Sequence, residues 1–207
     1  MKVILIGAPA CGKGTQAKNI VETYGIPHIS TGDMFRAILK EESELSKNLK
    51  SYMDEGKLVP DNIVMQVAME RLNKDDCKKG FLLDGFPRTL NQAKEMLKYI
   101  DFDIAIFIEV EYNSLVKRIA NRLVCDSCGK IYNMETTTHT KCSCDGNIIK
   151  RKDDTEEIIS KRIEEFKELT YPVVDYFKSL NKLTVVDGNQ TPEQVFADIK
   201  EVLKNYD

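Results

Sequence analysis

The sequence predicts an α/β fold with a five-stranded parallel sheet and helices on both faces. Short apolar runs alternate along the chain with longer segments whose apolar residues recur at helical spacing. Strands that alternate with helices are joined by crossover connections, which makes neighbouring strands parallel. The runs at 81–83 and 104–108 are continuously apolar, as expected for strands that are buried on both faces. A glycine-rich stretch between the first strand and the first helix predicts that this fold binds phosphate.

The individual elements follow from the same patterns. The predicted strands are Lys2–Ile6, Pro27–Ile29, Phe81–Asp84, Ile104–Val110 and Leu183–Val186. The predicted helices are Lys13–Tyr24, Gly32–Lys40, Asp61–Leu72, Leu90–Tyr99, Asn113–Arg122, Thr155–Leu169 and Pro192–Asn205. Thr155 is a good capping residue ahead of two acidic residues, and Asp61 follows a proline, so both helix starts carry recognisable signals. Segments 30–59 and 121–154 interrupt the alternation and predict two small lobes at the carboxyl edge of the sheet, where open α/β sheets bind ligands.

Composition excludes several classes of protein. The 207 residues are 42% hydrophobic, which suffices for one sizeable core. The net charge of −3 argues against a general nucleic-acid or membrane-surface protein. No apolar run approaches the ~20 residues that a membrane span needs. The apolar run at 3–6 is also too short for a signal peptide, so we expect a cytoplasmic protein. In that compartment the six cysteines, four of them between 125 and 144, argue against a disulfide framework.

The glycine-rich stretch runs from Gly7 to Thr15. Glycine lets backbone N–H groups close around phosphate oxygens, and the following helix N-terminus adds partial positive charge. Lys13 supplies a charge for the β- and γ-phosphates, and Thr15 supplies a hydroxyl on the magnesium side. The usual G-x-x-x-x-G-K-[ST] pattern is altered, because Gly14 separates the lysine from the threonine.

A second motif, Asp84-Gly85-Phe86-Pro87-Arg88, follows the third strand. Asp84 lies at a strand end, where a carboxylate can hold magnesium directly or through water. Arg88 can bind a phosphate with its planar guanidinium group. Gln92 is four residues further along, on the same helix face as Arg88, and its amide can both donate to and accept from an adenine edge.

Further basic residues accompany these motifs in an otherwise acidic chain. Arg118 and Arg122 are four residues apart and are expected on one helix face. Phosphoryl transfer explains such a set, because its transition state spreads negative charge over oxygens that the protein must position and stabilise. The basic side chains are Lys13, Arg36, Arg88, Arg118, Arg122, Arg151 and Arg162. His28 and His139 are far apart in sequence and have no evident role.

Four motifs in order resemble those of adenylate kinases. They are Gly-Ala-Pro-x-x-Gly-Lys-Gly-Thr-Gln-Ala at 7–17, Ile-Ser-Thr-Gly-Asp-Met-Phe-Arg at 29–36, Asp-Gly-Phe-Pro-Arg-Thr at 84–89 and Arg-Lys-Asp-Asp at 151–154. The resemblance, to the long-lid bacterial form, implies a P-loop NTPase-like core at 1–29, 60–120 and 155–207. It also implies a small helical NMP-binding lobe at 30–59 and a zinc-binding lid at 121–154. The implied reaction is direct, in-line transfer from MgATP to AMP giving two ADP, in a monomer that serves nucleotide homeostasis and binds neither nucleic acid nor membrane.

The resemblance also implies a role for individual residues. The implied ATP contacts are Ala10, Cys11, Gly12, Lys13, Gly14, Thr15, Arg118, Arg122, Ile131, Tyr132 and Gln190. The implied AMP contacts are Thr31, Arg36, Lys57, Leu58, Val59, Gly85, Phe86, Pro87, Arg88, Gln92, Arg151 and Arg162. The implied catalytic groups are Lys13, Asp84, Arg88, Arg122, Arg151 and Arg162. Ala10 departs from the family, which usually has glycine there, and its β-carbon matters only if the backbone needs a positive φ.

The clustered cysteines predict a structural metal site. Cys125 and Cys128 form a C-x-x-C half with glycine after the second cysteine, and Cys142 and Cys144 form the candidate second half. Four thiolates in a reducing compartment fit a closed tetrahedral Zn²⁺ site. The C-x-C spacing departs from the family, in which two residues normally separate the second pair. The fourth ligand is therefore open between Cys144 and Asp145, with His139 as a third candidate.

Three other functions compete with this interpretation. The nearest is a nucleoside monophosphate kinase that uses UMP, CMP or GMP. A switch GTPase or ATPase lacks support, because no Asn-Lys-x-Asp motif, which reads guanine, is present. A zinc-knuckle nucleic-acid module would need a basic face with stacking aromatics, and Tyr132 is the one aromatic residue near the cysteines.

Overall fold

The predicted α/β fold is confirmed by the computed structural model, which describes residues 1–41, 43–55, 57–151 and 154–206. Gly56 of the first lobe and Lys152 and Asp153 of the fourth motif lie outside the described residues. The central sheet has the order β2-β3-β1-β4-β8, and every neighbouring pair of strands is parallel. Its strands are β1 Lys2–Ile6, β2 His28–Ser30, β3 Phe81–Asp84, β4 Ile104–Glu109 and β8 Leu183–Asp187.

The helices pack on both faces of this sheet. They are α1 Lys13–Tyr24, α2 Thr31–Ile38, α3 Glu44–Asp54, α4 Asp61–Leu72, α5 Leu90–Met96, α6 Tyr112–Ala120, α7 Glu156–Glu165, α8 Tyr171–Ser179 and α9 Pro192–Leu203. Side chains alternate along β1: Ile4 belongs to the apolar cluster under α4, α5 and α8, whereas Val3 and Leu5 belong to the cluster under α1, α6, α7 and α9. Burial of both faces explains the continuously apolar strands.

The predicted helix at 155–169 is wrong in its extent. Regular α7 ends at Glu165, a π-helical turn covers Phe166–Thr170, and α8 follows directly. Pro172 has no N–H group and stands at the start of α8. Because proline cannot bond to the carbonyl four residues earlier, the backbone widens just before it. The sequence analysis missed α8.

The two interruptions of the alternation carry small elements of their own. Segment 30–59 contains α2, capped by the Ser30 hydroxyl, and α3, which starts with a reciprocal capping box between Ser43 and Ser46. Segment 121–154 contains an antiparallel sheet in the order β6-β5-β7. Its strands are β5 Arg122–Cys125, β6 Ile131–Asn133 and β7 Ile148–Ile149.

Candidate active site

The glycine-rich loop connects the end of β1 to the start of α1. Gly7 leaves no room for a side chain, because an added β-carbon would lie 2.4 Å from the Cys11 Sγ and 2.9 Å from the Ile108 carbonyl oxygen. Gly12 caps α1 with a φ of 103°. Ala10 has a φ of 62°, in the left-handed region, so its β-carbon strains the loop where the family usually has glycine.

Lys13, the first residue of α1, folds back over this loop. Its ammonium group donates to the Gly7 carbonyl at 2.5 Å and to the Ala8 carbonyl at 3.1 Å. Both acceptors are neutral, so phosphate oxygens would make stronger, charge-assisted bonds to the same group. The lysine is thus held at the loop, in reach of a bound phosphate.

Arg118 and Gln190 lie where the last sheet strand approaches the loop. The Arg118 guanidinium group donates to the Gly188 carbonyl at 2.7 Å and to the Cys11 carbonyl at 3.4 Å. Gln190 donates to the Asp187 carbonyl at 3.2 Å, at the end of β8. Arg118 therefore ties the phosphate loop to the connection between β8 and α9.

The second lobe reaches the same loop through Ile131. A β-carbon added at Gly14 would lie 3.0 Å from the Ile131 Cδ1 atom, so the glycine makes room for this side chain. Tyr132 follows in β6, and its ring meets the His139 ring edge to face at 5.6 Å. Of the two predicted contacts of this lobe, Ile131 thus lies at the N-terminus of α1, whereas Tyr132 packs within the lobe.

The prediction that Arg122 shares a helix face with Arg118 is wrong. Helix α6 ends at Ala120 and Asn121 caps it, so Arg122 is the first residue of β5 and not a neighbour of Arg118 on one helix face. Its guanidinium group binds both carboxylate oxygens of Asp154, with an Nε–Oδ2 distance of 2.7 Å. The Asp154 side chain is fully buried, so this ion pair joins the two ends of the second lobe.

Asp84 ends β3 and faces His28 of the neighbouring strand. The Asp84 Oδ2 atom lies 3.4 Å from the His28 Nε2 atom. Sequence reasoning assigned His28 no role. The signal that would have found it is the strand pairing, because β2 and β3 align His28 with Leu82 and Ser30 with Asp84 at the ligand-binding edge.

A first cavity lies between α2, α3, α4 and the turn after β3. Most of the predicted AMP contacts line it: Thr31, Arg36, Lys57, Leu58, Val59, Gly85, Arg88, Gln92 and Arg162. Sequence reasoning missed Gly32, Phe35, Met53 and Val64, which also line it. These are mostly apolar groups that suit the face of a base, and their helical spacing signalled only core packing. Phe86 is instead buried beneath the site with 1% exposure, and Arg151 is not part of this lining.

A second cavity adjoins the first and contains the phosphate loop. Gly7, Pro9, Lys13 and Pro87 line it, together with the α7 residue Glu165. Leu58, Gly85, Arg88 and Arg162 line both cavities. Arg88 and Arg162 therefore lie at the junction of the cavity that contains Lys13 and the cavity that contains Gln92.

Arg88 is held in place by its own turn. Its Nε donates to the Gly85 carbonyl at 2.8 Å, and the Thr170 hydroxyl donates to the Arg88 carbonyl at 2.9 Å. A β-carbon at Gly85 would lie 3.0 Å from the Arg88 Nη2 atom, and Gly85 has a φ of 77°, so glycine is needed there. Burial lowers the pKa of Arg88 and raises the pKa of Glu165, which means that both groups gain from an opposite charge nearby.

The four clustered cysteines come together in the second lobe. Among the described residues, Cys125, Cys128, Cys142 and Cys144 form a group whose sulfur atoms all lie within 4.8 Å of one another. The Cys125–Cys144 and Cys128–Cys142 sulfur distances are 3.5 and 3.6 Å. A tetrahedral site with metal–sulfur bonds of about 2.3 Å needs sulfurs about 3.8 Å apart, so the arrangement fits such a site.

Details around the cluster favour thiolate ligands. The Tyr132 hydroxyl donates to the Cys142 sulfur at 3.1 Å and holds the pKa of that thiol well below its usual range. Gly146 must be glycine, because an added β-carbon would lie 2.5 Å from the Cys125 sulfur. Neither Asp145 nor His139 belongs to the group.

Comparisons with known proteins agree with this geometry. A family model described as adenylate kinase matches residues 5–182. An adenylate kinase of Clostridium perfringens (strain SM101 / Type A) is 44% identical over 212 residues, which cover 98% of both chains. Adenylate kinases of Alkaliphilus oremlandii and Thermosipho melanesiensis are 46% and 43% identical, over 96% and 99% of this chain and 96% and 100% of theirs.

The chain belongs to the adenylate kinase family. Its activity is that of this family, a phosphotransferase acting on a nucleoside monophosphate. The family resemblance and the P-loop NTPase-like fold predicted from the four motifs are therefore confirmed. Family membership also favours this activity over that of a switch GTPase or ATPase. Within the described ranges, no helix combines the length and apolar character needed to cross a bilayer.

Proposed function

We propose that this adenylate kinase binds MgATP at the phosphate loop and AMP in the cavity beside Gln92, and transfers the terminal phosphoryl group directly between them to give two ADP. The observation that carries the proposal is that Arg88 and Arg162 line both cavities. A group in transit between two phosphates needs positive charge at their junction, and these two side chains supply it.

The donor side is built from the loop and the groups around it. Backbone N–H groups of residues 10–15 would cradle the phosphates at the N-terminus of α1, and Lys13 would exchange its carbonyl partners for phosphate oxygens. Arg118, which bonds to the phosphate loop and to Gly188, and Gln190, just after β8, would flank the adenosine. Ile131 and Tyr132 would cover it from the second lobe.

Magnesium would accompany ATP at the carboxyl edge of the sheet. Asp84 fits this role, since a carboxylate oxygen is the ligand type that Mg²⁺ prefers, alone or through water. The His28 Nε2 atom lies 3.4 Å from this carboxylate. The ion would neutralise charge on the β- and γ-phosphates.

The acceptor side would hold AMP between the first lobe and the core. Thr31, Arg36, the Lys57–Val59 segment and Gly85–Arg88 would surround the ribose and phosphate, and Gln92 would contact the base. Arg122, Arg151 and Arg162 would stabilise the transferred group when the lid at 121–154 and the NMP-binding lobe at 30–59 close on the core. Closure would exclude water, which would otherwise accept the phosphoryl group.

The four cysteines would hold a structural Zn²⁺ ion, with Cys144 as the fourth ligand. Four protein ligands leave no open coordination position, so the ion would take no part in the transfer. A lobe with three short strands has little core of its own, and a metal would replace that core.

A coupled assay with MgATP and four acceptors tests the assignment. AMP should be preferred over GMP, CMP and UMP by at least about tenfold, since unpaired polar groups in a closed site discriminate strongly. Replacing Gln92 by Ala should reduce this preference while the KM for ATP stays nearly unchanged. Preference for a pyrimidine monophosphate would support the competing kinase. A Gln92→Ala variant that lost ATP affinity but kept its AMP preference would show that the two sites are reversed.

A further inference from the structure

The orientation of the Gln92 amide decides which purine this residue can recognise. A glutamine carries a donor nitrogen and an acceptor oxygen of similar size, so rotating the amide by half a turn exchanges them. Adenine offers an amino donor beside a ring-nitrogen acceptor. A 6-oxopurine, such as guanine or hypoxanthine, offers a carbonyl acceptor beside an N–H donor. Gln92 by itself therefore does not select AMP.

Two partners of opposite character lock this amide. The Arg88 backbone N–H group, which can only donate, bonds to the Gln92 Oε1 atom at 2.7 Å. The Asp61 carboxylate, which can only accept while ionised, bonds to the Gln92 Nε2 atom at 2.7 Å. The reversed amide would set N–H against N–H at one end and oxygen against oxygen at the other. Gln92 is 1% exposed, so water cannot repair the mismatch.

The locked amide keeps one donor and one acceptor for a ligand. Nε2 has two hydrogens, of which Asp61 takes one, and Oε1 has two lone pairs, of which Arg88 takes one. Gln92 also lines the first cavity. The remaining N–H and lone pair match the adenine edge and mismatch a 6-oxopurine.

Asp61 is itself firmly held. The Thr89 hydroxyl and the Asn91 amide each donate to its Oδ2 atom at 3.0 Å. Asp61 is the first residue of α4, where the positive end of the helix favours a carboxylate. Thr89 caps α5 by accepting from the Gln92 backbone N–H group at 3.1 Å. This network connects the start of α4 to the base-reading residue of α5.

We infer that Asp61 is a specificity-determining positioning residue, which makes the acceptor site select AMP over 6-oxopurine monophosphates by fixing the orientation of the Gln92 amide. Asp61 is not part of the described lining of the cavity and acts through Gln92. The inference rests on the proposed function, because it requires the base of AMP to contact Gln92.

The test is the acceptor ratio of an Asp61→Asn variant. Asparagine has nearly the same size, but its amide can donate to a reversed Gln92, so the reversed state no longer opposes two oxygens. We expect the ratio of kcat/KM for AMP to that for IMP to fall by about 3–10-fold, because the Arg88 N–H group still opposes the reversed amide, while the KM for ATP changes less than about twofold. IMP is the appropriate probe because hypoxanthine differs from adenine at the recognised edge without adding an amino group. The AMP/IMP ratio compares two acceptors on the same enzyme preparation, so a partial loss of folded protein does not change it.

Asn91→Ala is the matched control. It removes another hydrogen bond to Asp61 but leaves the contact with Gln92, so its AMP/IMP ratio should equal that of the unsubstituted protein. Gln92→Ala is measured in parallel. If Gln92→Ala abolishes the preference and Asp61→Asn lowers it by less than about threefold, the inference is overturned and the proposed function stands. If Gln92→Ala retains the full preference, the base site of the proposed function is wrong, and the inference fails with it.

A measurement on the unsubstituted protein covers the case in which Asp61→Asn does not fold. The Gln92 side-chain amide proton that bonds to Asp61 should stay strongly hydrogen-bonded in the presence of AMP and equally in the presence of IMP. Loss of that bonded proton with IMP would mean that the amide rotates to suit the base, which would overturn the role of Asp61.

Discussion

Ala10 holds a backbone conformation in the phosphate loop that its β-carbon opposes. With a φ of 62°, the residue lies in the left-handed region, where a non-glycine residue is destabilised by about 1–2 kcal/mol. Glycine would relieve this strain but would also lose about 0.5–1 kcal/mol through its greater freedom in the unfolded chain. The two effects oppose each other, and the relief of strain is the larger.

We therefore expect Ala10→Gly to stabilise the protein slightly. The net gain of up to about 1 kcal/mol corresponds to a Tm increase of about 2–4 °C in a chain of this size. Thermal unfolding followed by circular dichroism measures it. Ala197→Gly, at an exposed position inside α9, is the control and should lower the Tm, since glycine is unfavourable in a regular helix. A similar decrease in both variants would contradict the argument.

For individual residues, the sequence predicted which side chains line the cavities better than it predicted how those side chains are oriented. Lys13, Arg88 and Gln92 were all identified from the sequence, because each lies in a local motif or within one helical turn of it. The orientation of Gln92 depends on Asp61 in another helix, and the contact of His28 with Asp84 depends on strand pairing. Because these partners are distant in sequence, no local pattern predicts that they are in contact.

The cysteine-bearing lobe is the element whose stability depends most on one interaction. Its sheet has strands of four, three and two residues, and sheets this small are marginal in water. The four-cysteine cluster holds two distant parts of this lobe together. Its members are Cys125, Cys128, Cys142 and Cys144. Asp145 follows in a turn with a φ of 66°, and its N–H group bonds to the Cys142 carbonyl oxygen.

This geometry leads to a prediction about the fourth ligand. The protein should carry about one zinc ion per chain, and Cys144→Ser should weaken zinc binding by at least about 10-fold, because a thiolate ligand is lost. Asp145→Asn keeps a residue that tolerates the left-handed turn and should retain full zinc affinity. Elemental analysis gives the content, and competition with a chromogenic chelator gives the affinity.

Two outcomes would contradict the assignment. A loss of zinc in Asp145→Asn with full retention in Cys144→Ser would make the aspartate the ligand. Protein prepared without chelators that contains neither zinc nor iron would refute a structural metal site. Cys77→Ala, which alters a cysteine outside the cluster, controls for non-specific binding to thiols.

Element boundaries were predictable where a glycine or a proline marks the end of a helix. Helices α1 and α4 have the predicted limits, because strand ends, glycines or a proline delimit them. The boundary after α6 was not predictable, since Arg122 continues a helical spacing yet begins β5. The π-helical turn was also missed, because a proline predicts a break or a kink in a helix without specifying a π-helical turn.

For the whole molecule, the alternation of strands and helices was enough to predict the parallel sheet, whereas the shape of the site depends on contacts between distant segments. The two cavities meet at Gly85, Arg88 and Arg162, which come from the turn after β3 and from α7. Basic groups thus approach one point from several parts of the chain. Ligands that carry phosphates in both cavities should hold these parts together.

A single ligand that fills both cavities should therefore bind far more tightly than either nucleotide. Two adenosines joined by five phosphates provide both bases and a continuous chain of negative charge past Arg88 and Arg162. Linking the two binding events makes the second one intramolecular, which raises affinity by about 10²–10⁴-fold over ATP or AMP alone. Isothermal titration calorimetry with the three ligands measures the difference.

A Lys13→Met variant tests whether the dinucleotide binds tightly because it fills both cavities or only because it carries more negative charge. The substitution keeps the length of the side chain but removes its charge from the donor cavity, so it should weaken binding of ATP and of the dinucleotide while the affinity for AMP stays nearly constant. A shorter dinucleotide with three phosphates should lose most of the advantage, because its bases could not reach both cavities from one phosphate chain. If all the ligands bound with similar affinity, or if Lys13→Met weakened AMP as strongly as ATP, the two cavities would not act as adjoining halves of one active site.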